Sequence, residues 1–145
     1  MATSIQDLKM GISIKLNELF GDTYKIYAEE VKQGLSPPSF FIKHVRSSAS
    51  KGIGGRYTRN NLFSVNFFPV ENGAELEQCD AVADTLLIDF EYVMSGADTF
   101  RTTKKNSFVL DKVLHFEFEI NYPILKVEAE ELMANLTQTS TTTEE

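Results

Sequence analysis

The chain has 145 residues, of which 42% are apolar and 24% charged, the size and balance of one globular domain rather than a disordered or fibrous chain. A formal charge of −7 argues against a general nucleic-acid binder, which needs clustered Lys and Arg. No apolar run reaches the roughly 18 residues a bilayer-spanning helix requires, and Asp7 and Lys9 interrupt any secretory core near Met1 to Met10. A single cysteine, Cys79, excludes an internal disulfide framework and fits a reducing compartment. In that setting Asn135-Leu136-Thr137 is a chance match to a glycosylation acceptor.

In chain order, Ile5, Leu8, Ile12, Leu16 and Leu19 recur at steps of three and four and predict a helix over 4–19. Thr3 and Gln6 have capping-box spacing, and Gly21 can stop the helix in a left-handed conformation. Three strands follow, at 24–29, 40–45 and 62–68, with Pro37-Pro38 marking a connection or a sheet edge. Between the second and third, Ser47 to Tyr57 is rich in Ser and Gly and reads as a flexible loop, a candidate contact element.

Asn72 and Glu75 have capping-box spacing for a second helix. Leu76, Cys79, Val82, Ala83, Leu86, Phe90 and Val93 form its apolar stripe, and Ser95-Gly96 its end. Glu75, Glu77, Asp80, Asp84, Asp89 and Glu91 supply charge elsewhere and make it an acidic helix. Leu114, Phe116, Phe118, Ile120 and Tyr122 then alternate with His115, Glu117, Glu119 and Asn121, a strand with one core face and one polar face. Asp111-Lys112 reads as a two-residue turn from a strand over 100–110. An unbroken register sets Lys104 opposite Glu119 but Lys105 opposite Phe118, a conflict that a bulge would relieve.

The order α-β-β-β-α-β-β predicts an α+β fold, a mainly antiparallel sheet flanked by helices. One domain is expected over 1–127. Residues 128–145 are expected to be an acidic, Thr-rich flexible tail, with a short helical turn as far as Met133.

The case for catalysis is weak. The two histidines, His44 and His115, have no nucleophile at a recognisable spacing, and Cys79 lies on a core stripe. His115 and Glu117 share a strand face without a further ligand cluster, so a solvated face outweighs a metal site. Gly52-Ile53-Gly54-Gly55-Arg56 lacks the Lys-Ser/Thr ending of a phosphate loop and precedes a strand, not a helix. With Lys51, Arg56 and Arg59 it is the most basic stretch of an acidic chain, and a loop ordered by a protein partner is preferred to phosphate or DNA contact. Glu117 and Glu119, or Glu29 and Glu30, show no sign of an acid–base cleft. No enzyme activity, cofactor or metal is expected.

Several segments resemble small tail terminator (tail completion) proteins of bacteriophages and prophages of Gram-positive bacteria. They are Gly11-Ile12-Ser13, the run from Leu16 to Asp22, Tyr24 to Tyr27, Glu29 to Leu35, Pro38 to Ile42, Asn66 to Pro69, and Asp111 to Phe116. The resemblance covers about residues 5 to 127, without a catalytic motif, and the chain has Asp111-Lys112 where that family commonly has Asp-Gly. It implies a non-enzymatic virion protein that assembles in the host cytoplasm, typically as a hexameric ring of identical copies, on the head-proximal end of the tail tube. There it would end polymerisation of the tube protein and present a surface to the head-completion (connector) protein, while DNA passes through the ring without specific binding. On that basis Lys51, Gly52, Gly54, Gly55, Arg56 and Tyr57 become candidate partner or oligomer contacts. Glu117 and Glu119, or the acidic side of the second helix, become candidate lumen groups. The alternative is a small cytosolic protein-binding module, regulatory or inhibitory, of a prophage or bacterium.

Overall fold

The computed structural model describes residues 4–29, 34 and 36–125. They fall into two compact units, one within 1–47 and 60–121, the other within 48–59 and 122–125. The proposed tail over 128–145 and its helical turn lie outside the described residues.

Helix α1 spans Ile5–Phe20. Its capping box is Ser4 and Asp7: the Ser4 hydroxyl accepts the Asp7 N–H at 3.0 Å, and the Asp7 carboxylate accepts the Ser4 N–H at 3.2 Å. That is one residue beyond the Thr3–Gln6 spacing expected from sequence. An aspartate at the third helical position satisfies the cap and also places negative charge at the positive end of the helix dipole. Leu8, Ile12 and Leu16, one turn apart, are fully buried. Gly21, at φ 71°, closes the helix with its N–H on the Asn17 carbonyl. A 3-10 turn, Gly21–Thr23, leads into strand β1, Lys25–Tyr27.

The remaining elements are β2 (Ser39–Lys51), β3 (Arg56–Phe68), α2 (Glu75–Asp89), β4 (Tyr92–Ser95), β5 (Asp98–Leu110) and β6 (Val113–Leu125). They build one six-stranded sheet in the order β1-β2-β3-β6-β5-β4, with helices flanking it. This is the expected α+β class. The sheet is mixed, because β1 runs parallel to β2 with Lys25 opposite Ser39, whereas β4–β5 and β5–β6 are antiparallel.

Four expectations are corrected. The Asn72–Glu75 capping box does not form: the cap position of α2 is Ala74, without a side-chain cap, and the Asn72 amide oxygen accepts the Ala74 N–H at 3.0 Å. The Ser/Gly-rich stretch from Ser47 to Tyr57 is mostly strand: β2 continues to Lys51 and β3 begins at Arg56, leaving only 52–55 as loop. These strand ends are largely exposed, so they carry no apolar alternation by which sequence could report them. The second helix ends at Asp89, not Ser95. Phe90 and Val93 are fully buried as the stripe predicted, but Val93 sits in β4, which folds back through Gly96 to pair Ser95 with Asp98. A three-residue apolar step fits a helix or a turn into a strand equally well, hence the misplacement. Leu76, expected on the same stripe, is exposed.

The core is aromatic. Phe20, at the end of α1, packs on Phe40 of β2 at 5.2 Å between ring centroids, and Tyr24 packs on Phe40 and Phe67. Phe90, just past α2, packs on Phe116 and Phe118 of β6 at 5.6 and 5.0 Å. On β6, Leu114, Phe116, Phe118, Ile120 and Tyr122 are all buried, the alternation read from sequence. Helix α1 meets β4 at backbone distance: a Cβ at Gly11 would collide with the Met94 carbonyl oxygen and lie 2.7 Å from Val93 Cγ1.

The β5–β6 hairpin has the expected turn and the expected bulge. Asp111 and Lys112 both adopt left-handed conformations, φ 52° and 62°, as a type I′ turn requires. Leu110 opposes Val113 and Asn106 opposes Glu117, after which the register shifts so that Thr103, not Lys104, faces Glu119. Lys104, at φ 52°, lies in the bulge, and its ammonium still reaches the Glu119 carboxylate at 3.8 Å.

Candidate interaction surfaces

The cysteine and the two histidines each make packing or hydrogen-bond contacts. Cys79 is buried on α2 and donates its thiol to the Lys112 carbonyl at 3.8 Å. Burial, and then the Asp80 carboxylate, push its thiol above the ordinary range, the opposite of what an activated nucleophile needs. His44 shares a hydrogen bond with the Ser47 hydroxyl at 2.7 Å, Ser47 donates to Asn61 Oδ1, and Asn61 donates to the Ile120 carbonyl. This relay ties β2, β3 and β6 together. His115 stacks flat on Phe108 of β5, with ring centroids 5.0 Å apart. Among the described residues no group of three His, Cys, Asp or Glu side chains forms a metal-ligating cluster.

A cleft of about 370 Å³ opens between the start of α2 and the β5–β6 turn, lined in part by Glu71, Glu75, Asp111 and Lys112. Glu75 accepts its own backbone N–H, which holds its carboxyl below the usual value; partial desolvation opposes this, and the Gly73 N–H and Lys112 add to it.

The structure gathers the basic candidates at one tip. Lys51 ends β2, Gly52, Gly54 and Gly55 lie in the four-residue connection, and Arg56 and Tyr57 open β3. The Gly52 N–H donates to the Arg56 carbonyl at 2.5 Å, and the Arg56 N–H donates to the Ile53 carbonyl at 3.3 Å. Gly54 and Gly55 take φ values of 69° and 78°, conformations that side chains disfavour, so the glycines that suggested flexibility instead form a defined turn. Ile53, at the apex, is 91% exposed. It is a contact candidate that a charge-led search passes over, although an apolar residue between glycines in a turn was visible in the sequence.

Glu117 and Glu119 share one face of β6, as the alternation requires. The Glu119 carboxylate is only 19% exposed, held by Lys104 and by the Asn121 amide at 3.1 Å. The basic tip belongs to the second compact unit and these carboxylates to the first.

What the arrangement offers is surface: an ordered basic turn, an acidic helix and a polar strand face. No curated protein matches the chain. A family model described as phage tail terminator protein matches residues 7–131, which covers α2, all six strands and all of α1 but its first two residues. The chain therefore belongs to the phage tail terminator protein family.

Proposed function

We propose that the protein caps the head-proximal end of a phage tail tube as a ring of six identical copies, ending tube polymerisation and forming the surface that joins the head. The family match over 7–131 carries this reading, because membership makes the chain a structural tail component. Its partners are its own copies, the tube protein and a head-completion (connector) protein. It works in the virion after assembly in the cytoplasm of a Gram-positive host, as a scaffold and without catalysis or a cofactor. Lys51, Gly52, Gly54, Gly55, Arg56 and Tyr57 serve as contact residues, and an ordered turn suits that role because little entropy is lost when it docks. Glu117 and Glu119 face the lumen, where carboxylates repel the phosphate backbone and let DNA slide without binding.

The test is to add purified protein to polymerising tube protein and follow tube length by electron microscopy, with native mass measurement of the capped ends. Growth should stop with six copies at one end of each tube. Unchanged tube lengths, with no protein at the ends, would refute the role.

A further inference from the structure

Charge is segregated along this chain. Between Glu30 and Glu71 there is no Asp or Glu, only Lys32, Lys43, Arg46, Lys51, Arg56 and Arg59. From Glu71 to Asp98 there are eight carboxylates and no Lys or Arg. Among the described residues the ion pairs are Lys15–Glu18 and Lys104–Glu119, and neither involves a member of these two sets. All of the basic set but Lys32 lies on the β2–β3 hairpin, where Lys43, Arg46, Lys51 and Arg56 are exposed and Ile53 projects from the tip. The acidic set lies largely on α2. Glu77, Asp80 and Asp84, at steps of three and four, mark its solvent strip together with Ile88, which is 71% exposed; Leu76, 58% exposed, flanks them.

We infer that the β2–β3 hairpin of one copy docks on the solvent strip of α2 of the next, with Ile53 set against the exposed Ile88 near the end of the helix and the basic side chains along the hairpin against Asp84, Asp80 and Glu77. The contact rests on the ring assembly proposed above and gives it a chemistry. Each side has an apolar residue at one end, Ile53 or Ile88, with a run of like charges leading away from it and of opposite sign to the other side, an arrangement that steers encounter and fixes register. Because the two patches differ, the contact is head-to-tail, the kind that closes into a ring. Nucleic acid would satisfy the basic side chains but offers Ile53 no aliphatic partner, whereas α2 supplies both.

The test uses full-length protein in three forms besides wild type: Lys51→Glu with Arg56→Glu, Asp80→Lys with Asp84→Lys, and all four together. All the substitutions fall at exposed positions, and circular dichroism verifies folding. Assembly is read by native mass measurement and analytical ultracentrifugation in solution, and by occupancy of tube ends. Each two-site variant should assemble at least roughly tenfold more weakly than wild type. An equimolar mixture of the two should recover, since each hairpin then meets an oppositely charged helix on the other variant, and the four-site variant should recover alone. Two-site variants that assemble like wild type would overturn the inference while leaving the ring standing. Normal assembly with loss of binding to a DNA duplex in the hairpin variant would assign the hairpin to nucleic acid and also overturn it. Wild-type protein that is monomeric both in solution and on tubes would overturn the ring itself, before any charge is changed.

Discussion

Gly11→Ala opposes two effects whose sizes can be compared. In a helix interior alanine is favoured over glycine by about 0.8–1.0 kcal/mol, so a helix considered alone would be stabilised. In the folded protein the added methyl would collide with the Met94 carbonyl oxygen and sit 2.7 Å from Val93 Cγ1. The nearer obstacle is backbone of β4, not the end of a flexible side chain, so either α1 or β4 must move. Overpacking of this kind costs about 1–3 kcal/mol, and with the obstacle rigid the upper part of that range applies, leaving a net loss of about 1–2 kcal/mol. With a urea m-value of about 2 kcal/mol per M, the middle of the usual range, the unfolding midpoint should fall by about 0.5–1 M, followed by far-ultraviolet circular dichroism. A midpoint that rises would show that helix propensity prevails and that α1 does not approach β4 at backbone distance.

Other perturbations have equally definite signs. Lys112 pays for its left-handed conformation in the β5–β6 turn, so Lys112→Gly should raise stability by about 0.5–1 kcal/mol in urea unfolding; a decrease would contradict the turn geometry. The Cys79 thiol has a raised pKa in the folded state, so its contribution is complete below the unfolded thiol value of about 8.5 and is lost as pH rises through the folded value. Stability measured from pH 7 to 10 should therefore fall more steeply for wild type than for Cys79→Ala, and parallel curves would exclude the effect. Removing the Ser4 hydroxyl with Ser4→Ala should cost about 1 kcal/mol, and no change in the unfolding midpoint would mean that the capping box does not hold α1 in solution. Glu117→Lys with Glu119→Lys should slow DNA passage and lower infectious titre while rings still form, and a normal titre would remove these carboxylates from the lumen.

The parts of the fold legible in the sequence are those where burial imposes a period. The five alternating residues from Leu114 to Tyr122 fixed β6 and its core face, and the clash of Lys105 with Phe118 in an unbroken register pointed to a bulge, which the structure places between Thr103 and Asn106. Where burial is absent, so is the signal. Ser48 to Lys51 and Arg56 extend strands with little buried surface, and Ser/Gly composition alone suggested a loop. Phe90 and Val93 were correctly read as core, yet their spacing could not reveal that the chain had already left α2; Gly96-Ala97 between two short β-prone segments was the overlooked sign of a hairpin. For the interaction surfaces the basic tip was legible as charge. The order of its turn was not, because Gly54 and Gly55 look alike in sequence whether they provide mobility or a fixed left-handed conformation.

The most direct measurement is electron microscopy of particles made by a phage from which this gene has been deleted. A protein that caps the tube should leave tails of uncontrolled length, detached from DNA-filled heads, with normal morphology restored when the gene is supplied in trans. Tails of ordinary length joined to full heads in its absence would contradict a terminating role.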